Sequence, residues 1–307
     1  CPQAYPVTLM LSTQQLRQVA GRTGARDISK VEIDVILTLL LQLFHEHGLT
    51  QHLAFKGGTM LRKMVFGPRG RLSTDLDFTQ RTDLPLDDLM LMMLAALDQP
   101  YHGLDFRFDR DKDWYLTEEG CAANPVCAHA DNARGVKIKL QISTRETPIL
   151  PIVDLPQLEQ DYFRLLPFAP AAIPSLAMEE IIAEKIRAAS QRSKIRDLHD
   201  LAEIAKRPLA RERIRGLATL KLWNGGGDGL DYARLCDRIE HGDYDVDDLR
   251  NLLRRDQAPD INALKRAVID GFRFLGDPTE IERLLAADGA NRLRDEAAAL
   301  AKTLAAQ

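Results

Sequence analysis

The chain has 307 residues, 45% hydrophobic and 28% charged, with 19 Gly and 15 Pro. That composition suits a globular protein with room for two domains of ~150 residues, and it excludes collagen-like, low-complexity and disordered classes. The richest apolar run, Val35 to Leu41, is far shorter than the ~20 residues a membrane span needs. A net charge of −4 excludes a generic basic nucleic-acid coat but not a local RNA-binding patch. The start, Cys-Pro-Gln-Ala-Tyr-Pro, has neither the basic nor the apolar segment of a secretion signal, so a cytoplasmic protein with no membrane partner is expected.

Residues 11–20 read as a short helix. A stronger one starts at Ser29, where Ser29-Lys-Val-Glu32 has the form of a capping box, and stops at Gly48. His52–Lys56 reads as a strand, Met60–Phe66 as a helix, and Gly67-Pro68-Arg69-Gly70 as a break. Residues 71–79 alternate like a strand, and Asp87–Leu97 reads as a helix. Residues 104–117 and 136–143 read as strands around a turn-rich stretch at 120–135. Cys121 and Cys127 with His129 lack the spacing and ligand number of a zinc site, and read as plain loop thiols. Prolines at 148, 151, 156, 167, 170 and 174 mark a domain boundary. Beyond it, Ser175 is placed to cap a helix running to about Ser193. A second helix then reaches Pro208, and everything further reads as helical apart from the flexible run Asn224–Gly229. The expected layout is α+β: residues 1–168 built on a mixed sheet, residues 169–307 all helical.

The chemistry concentrates in Gly57-Gly58-Thr59 followed by Asp75-Leu76-Asp77. Strand residues two apart share a face, so Asp75 and Asp77 point together while Leu76 and Phe78 point to the core. Two carboxylates on one face repel unless a cation sits between them, and oxygen ligands of this kind suit Mg²⁺. Between a strand and a helix, Gly-Gly-Thr offers backbone N–H groups and a helix N-terminus to a phosphate. Either half alone is commonplace, a solvated strand end or a turn. Phosphate cradle and metal carboxylates together are the apparatus of nucleotidyl transfer.

Residues 55–78, FKGGTMLRKMVFGPRGRLSTDLDF, resemble the signature of the AbiEii/AbiGii (MenT-type) nucleotidyltransferase toxins, within the DNA polymerase β-like superfamily. Val31–Asp34 resembles the helix preceding that signature, and residues 179–201 resemble its later motif. The likeness covers about 30–205. It implies a polymerase-β-like nucleotidyltransferase domain that uses an NTP and Mg²⁺, or Mn²⁺, to modify an RNA acceptor. In characterised members the acceptor is the tRNA 3′ end. It also implies the toxin half of a toxin–antitoxin or phage-defence pair, with a cognate antitoxin as partner. Carried onto this chain, the metal ligands are Asp75 and Asp77, the later catalytic basic residue is Lys185, and the later acid is Asp200.

Lys185 and Arg192, seven apart, would share a helix face, with Ala188 and Ala189 leaving room for a ligand. Lys63 and Arg71 flank the phosphate site. Alternation places the Ser73 hydroxyl beside both acids, where a phosphate would compete for metal and triphosphate. Nucleotide contacts are therefore expected from Gly57, Gly58, Thr59, Lys63, Arg71, Ser73 and Arg192. Polymerase-β-like sites usually take a third carboxylate from a later strand. Here Gln141 holds that place, so either another acid such as Asp200 serves or the site binds nucleotide with reduced chemistry. Residues 185–215 carry ten Lys or Arg against four acids, a possible RNA track. Rival readings are transfer to a protein or small molecule, and a non-catalytic nucleotide-binding module.

Overall fold

The computed structural model describes residues 10–226 and 229–306. The N-terminal hexapeptide, and Gly227 and Asp228 of the glycine-rich run, lie outside the described residues. The chain divides into two compact units. One comprises Cys1–Thr147, Ile152–Ser175 and Asn251–Gln257, and the other Pro148–Pro151, Leu176–Arg250 and Ala258–Gln307.

The first unit starts with helices α1 (Thr13–Thr23) and α2 (Ile28–Glu46), followed by strand β1 (Leu53–Lys56). Helix α3 (Gly57–Met60) runs directly into a π-helical turn at Leu61–Phe66, which widens the segment expected to be an ordinary helix. Then come β2 (Asp75–Gln80), α4 (Leu86–Leu97), β3 (Asp105–Arg107), α5 (Arg110–Asp113), β4 (Trp114–Thr117), β5 (Gly120–Ala123), β6 (Val126–His129), β7 (Asn132–Lys137), β8 (Lys139–Ser143), β9 (Val153–Leu155) and β10 (Ile173–Ser175). Among the described residues, the main sheet has seven strands in the order β4-β5-β8-β2-β1-β10-β9, and a smaller sheet has the order β3-β6-β7. The main sheet is mixed, as expected: β2 is parallel to β8 and antiparallel to β1.

Several local expectations change. Helix α2 is capped by Asp27, whose side chain accepts from the Ser29 N–H at 2.8 Å. Glu32 takes no part in a capping box because its carboxylate accepts from His129 and Asn132 at 2.8 and 2.7 Å. Strand β2 starts only at Asp75, so Arg71–Thr74 are not strand residues. The turn-rich stretch 120–135 holds strands β5 and β6 and part of β7, because short hairpins pack turn residues close to strand residues. Residues 136–143 are split at buried Ile138 between two sheets. Cys121 and Cys127 lie on strands of different sheets, and burial pushes both thiols up to about 12. Ser175 ends β10, paired with Phe55 of β1, and its hydroxyl donates to the Ile173 carbonyl rather than capping a helix.

The core of this unit is α2 against the back of the sheet. Thirteen α2 residues are buried, which an apolar helix surrounded by protein requires. Phe44 meets Phe78 with ring centroids 6.4 Å apart, and Phe78 meets Phe55 at 5.4 Å. The same helix carries a buried polar stripe, Asp34, Thr38 and Gln42. The Lys63 ammonium donates to the Asp34 carboxylate at 3.0 Å, to Thr38 Oγ1 at 2.9 Å and to the Tyr162 hydroxyl at 3.0 Å. Tyr162 in turn donates to Asp34 at 2.9 Å. Burial by itself would raise the Asp34 carboxyl, but the Lys63 and Arg62 charges outweigh it and hold it below the ordinary carboxylate range.

The second unit is helical: α6 (Met178–Gln191), α7 (Ile195–Ile204), α8 (Arg211–Asn224), α9 (Tyr232–His241), α10 (Asp247–Arg250), α11 (Ile261–Gly271), α12 (Glu280–Ala287) and α13 (Arg294–Ala306). Its core also holds a charge. Glu180 on α6 accepts from the Ile149 and Leu150 amides and pairs with Lys221 of α8 at 2.7 Å. Among the described residues, no helix is long and apolar enough to cross a membrane.

The Asp34 network yields a stability test. Asp34→Asn leaves Lys63 buried without its counter-charge and should cost about 3–5 kcal/mol in denaturant unfolding. Its pH dependence has a defined sign. The folded carboxyl lies below its unfolded value, so its contribution is complete above about pH 4 and is lost as pH falls through the folded value. Urea titrations should therefore show a shallower loss of stability below pH 4 in Asp34→Asn than in the wild type.

Candidate active site

The geometry of the first unit brings Gly57, Gly58, Thr59, Asp75, Asp77 and Arg71 together. Strand β1 ends at Lys56, whose Cα partner across the sheet is Asp77, and the chain turns into α3 at Gly57. Gly57 has φ +79°, and a Cβ there would lie 2.3 Å from Asp77 Oδ2. Only glycine tolerates both the dihedral and the approach. At Gly58 a Cβ would lie 2.4 Å from the buried Arg71 guanidinium. Thr59 donates its hydroxyl to the Asp75 carbonyl, pinning the start of β2 to the start of α3. Helix α3 therefore starts against the Asp77 carboxylate, and its first-turn amides have no acceptor within the helix.

Asp75 and Asp77 are half-buried, while Leu76 and Phe78 between and beyond them are 0% and 1% exposed. The alternation places both acids on the sheet face opposite the α2 core. Thr74 donates to Asp75 Oδ1 at 2.5 Å. Register sets Gln141 on β8 as the Cα partner of Asp77, and Lys139 as that of Asp75. Among the described residues, no group of three or more His, Cys, Asp or Glu side chains is placed to hold a metal.

Two sequence-derived assignments in this unit change. Lys63 is 0% exposed, and its ammonium is spent on Asp34, Thr38 and Tyr162, so it builds the core under the cradle rather than meeting a phosphate. Ser73 is buried in the segment before β2, so strand alternation does not set its direction.

The residues of the later motif gather within the second unit. Lys185 of α6 donates to Asp197 Oδ1 at 2.7 Å and lies 2.8 Å from Asp200 Oδ2, both on α7. Arg192 lies beyond α6 in extended backbone, so the shared helix face does not apply. It nonetheless reaches Asp197 Oδ2 at 2.9 Å. Asp197 is thus the hub that joins both cations. It was readable in the sequence only as a helix N-terminal acid, because nothing in the spacing shows that Arg192 turns back. Burial would raise its carboxyl, but Lys185 and Arg192 hold it below the usual range.

The solved structure of MenT4, a nucleotidyltransferase toxin from Mycobacterium tuberculosis H37Rv, is similar with a TM-score of 0.80 and 26% identity over 96% of this chain and 99% of that one. A Helicobacter pylori structure, JHP933, gives a TM-score of 0.44 at 18% identity over 90% and 97% of the two chains. No curated protein sequence matches the chain. The profile of the AbiEii nucleotidyl transferase toxin family, type IV toxin–antitoxin system, matches residues 38–299. That match takes in the helical unit, past the point near residue 205 where the motifs themselves stop. The chain therefore belongs to the AbiEii nucleotidyltransferase toxin family of type IV toxin–antitoxin systems.

Proposed function

We propose that the chain transfers a nucleoside monophosphate from an NTP to the 3′ hydroxyl of an RNA, with a tRNA 3′ end as the acceptor, and that it acts in the cytoplasm as a toxin held by an antitoxin in phage defence. The observation that carries the chemistry is the Asp77 carboxylate held against Gly57 at the start of α3, with Asp75 on the same face of β2.

In this reading the triphosphate lies along the Gly57–Thr59 backbone, where first-turn amides and the helix dipole favour anionic oxygen. Arg71, packed over Gly58, adds a fixed guanidinium at that end. The residues fit a divalent cation: two half-buried carboxylates share a face, and the missing Gly57 side chain lets the Asp77 carboxylate lie against the backbone at the start of α3. With Gln141 in place of an acid, a Mg²⁺ or Mn²⁺ ion held by Asp75 and Asp77 would complete its oxygen shell with water and phosphate oxygens. Bound there, the ion supplies Lewis-acid polarisation of the phosphoryl oxygens. The acceptor oxygen attacks the α-phosphorus in line, the bond to the pyrophosphate oxygen breaks, and the hydroxyl proton leaves to solvent. Lys185, oriented by Asp197 and Asp200, is the later catalytic cation in this reading. Gln141 beside Asp77 favours one alternative, a nucleotide-binding module without turnover.

The test is incubation of purified protein with α-labelled NTP and RNA. Wild-type protein should label RNA. Asp75→Asn and Asp77→Asn should reduce labelling at least ~100-fold, as expected when a transition-state charge loses its support. Labelling of protein instead of RNA, or none at all, would contradict the proposal.

Gly57→Ala should be nearly as damaging despite adding one methyl group. The new Cβ must displace Asp77, and a misplacement of about 1 Å costs roughly 100-fold in rate. Alanine at φ +79° also lowers the melting temperature, so single-turnover rates taken per folded molecule isolate this effect.

Lys185→Ala should lower kcat rather than RNA affinity. It also leaves Asp197 and Asp200 unpaired, so a stability loss of about 3–5 kcal/mol should accompany it, and rates must be taken per folded molecule. Reduced RNA affinity with full turnover at saturation would make Lys185 a docking residue.

A further inference from the structure

The basic run of residues 185–215 does not form a continuous track in the fold. Lys185 and Arg192 are held by Asp197, Arg196 by Asp248 at 3.0 Å, Lys206 by Glu203, Arg213 by Glu179 at 3.8 Å and Arg215 by Glu282 at 2.7 Å. A cation paired inside the protein attracts an outside phosphate less. An unpaired cation lies beyond that run, on α9. Arg238 makes no ion pair among the described residues, and its Nε–H is buried without an acceptor.

Arg238 lines a pocket of about 280 Å³ where the end of α6 meets α8 and α9. Leu222 and Leu235, 4% and 3% exposed, give the pocket an apolar wall, and Ser190 and Gln191 close its α6 side. Arg234, one turn before Arg238, stands on the same face of α9. Asp231 lines the pocket too, but its carboxylate caps α9 by accepting the Arg234 amide N–H at 3.1 Å. The Ser190 hydroxyl donates to the Ile186 carbonyl at 2.9 Å, so the donors left to a ligand are the arginines and the Gln191 amide. A guanidinium keeps its charge at any accessible pH, and a buried N–H without an acceptor is costly. Against an apolar wall its attraction for an anion is screened less than on an open surface. The pocket is therefore suited to an anionic oxygen ligand.

The surroundings say which anion. Gln191 ends α6, and the next residue, Arg192, sits on the Asp197 carboxylate that also holds Lys185. Arg192 and Lys194 are exposed, so positive charge continues from the pocket along the connection to α7. Charge set out in a row suits a polymer of phosphates better than one small anion. We propose that the pocket takes a backbone phosphate of the acceptor RNA, with Arg238 as its guanidinium partner and Arg234 beside it. This rests on the RNA-transfer reading above and adds a docking point in the unit that carries Lys185.

The experiment is fluorescence anisotropy of the full chain with 5′-fluorescein-labelled tRNA, titrated between about 50 and 300 mM KCl. Binding of a non-hydrolysable NTP analogue is the check on folding. Arg238→Gln should weaken tRNA binding by about 10-fold at low salt and reduce the slope of log affinity against log salt by about 0.7–0.9, the value of one lost phosphate contact. Arg238→Lys should keep the slope, because the charge remains. Gln191→Glu, at the exposed rim, should weaken binding and lower the slope by repelling the same phosphate, and it reads the pocket even if Arg238→Gln unfolds. None should change analogue binding, and KM should rise for RNA but not for NTP. Wild-type slope and affinity in Gln191→Glu and in folded Arg238→Gln, while the wild type labels RNA, overturn the docking point and leave the transfer reading standing. Inorganic phosphate that raises the wild-type melting temperature but not that of Arg238→Gln, with tRNA binding unchanged, makes the pocket a small-anion site and also overturns it. Wild-type protein that binds the analogue but neither binds nor labels RNA removes the transfer reading and the docking point with it.

Discussion

The candidate site depends on how closely the Gly57 backbone approaches the Asp77 carboxylate. A β-carbon at 57 would stand 2.3 Å from Asp77 Oδ2, and the dihedral there is one that side-chain-bearing residues avoid. That single contact lets a strand end, a helix start and an acidic strand meet at one point. Anion affinity comes from the helix start and cation affinity from the acids. Neither would have the other within reach if the chain turned less tightly after Lys56.

The site is supported from below by charge. Helix α3 and its π-helical continuation are tied to α2 through Lys63, which is caught between Asp34, Thr38 and Tyr162. A buried ion pair contributes little net stability compared with an apolar substitute, but it fixes geometry because it has only one satisfied arrangement. Arg62, one residue earlier, reaches the Gly67 and Gly70 carbonyls and sets the loop that leads to Arg71. The cradle, the loop and the guanidinium over Gly58 are thus referred to one carboxylate on one core helix.

Much of this was legible in the residues. The α+β class, the mixed sheet, Asp75 and Asp77 on one face, and Gly-Gly between strand and helix all follow from local rules with short range. Alternation showed that Lys139, Gln141 and Ser143 share a face, but only the family resemblance, which expects a third carboxylate on a later strand, set Gln141 beside the acids. Long-range partners were not readable. Lys63 looks like any basic residue beside a phosphate loop, and only the fold shows that Asp34, twenty-nine positions earlier, takes its charge. Glu32 lost its capping role to His129 for the same reason. Arg192 stepped out of its helix and still met Asp197, which no helical periodicity encodes. The AbiEii profile match carries the second unit into the same family through residue 299, where composition alone showed only helices.

Pyrophosphate release gives the most direct measure of whether the Gly57–Asp77 site performs nucleotidyl transfer. Nucleotidyl transfer at this site releases one pyrophosphate from NTP for each nucleotide joined to RNA, with release dependent on both RNA and divalent cation. Free phosphate in place of pyrophosphate, or tight NTP binding with no pyrophosphate at any RNA concentration, would contradict it.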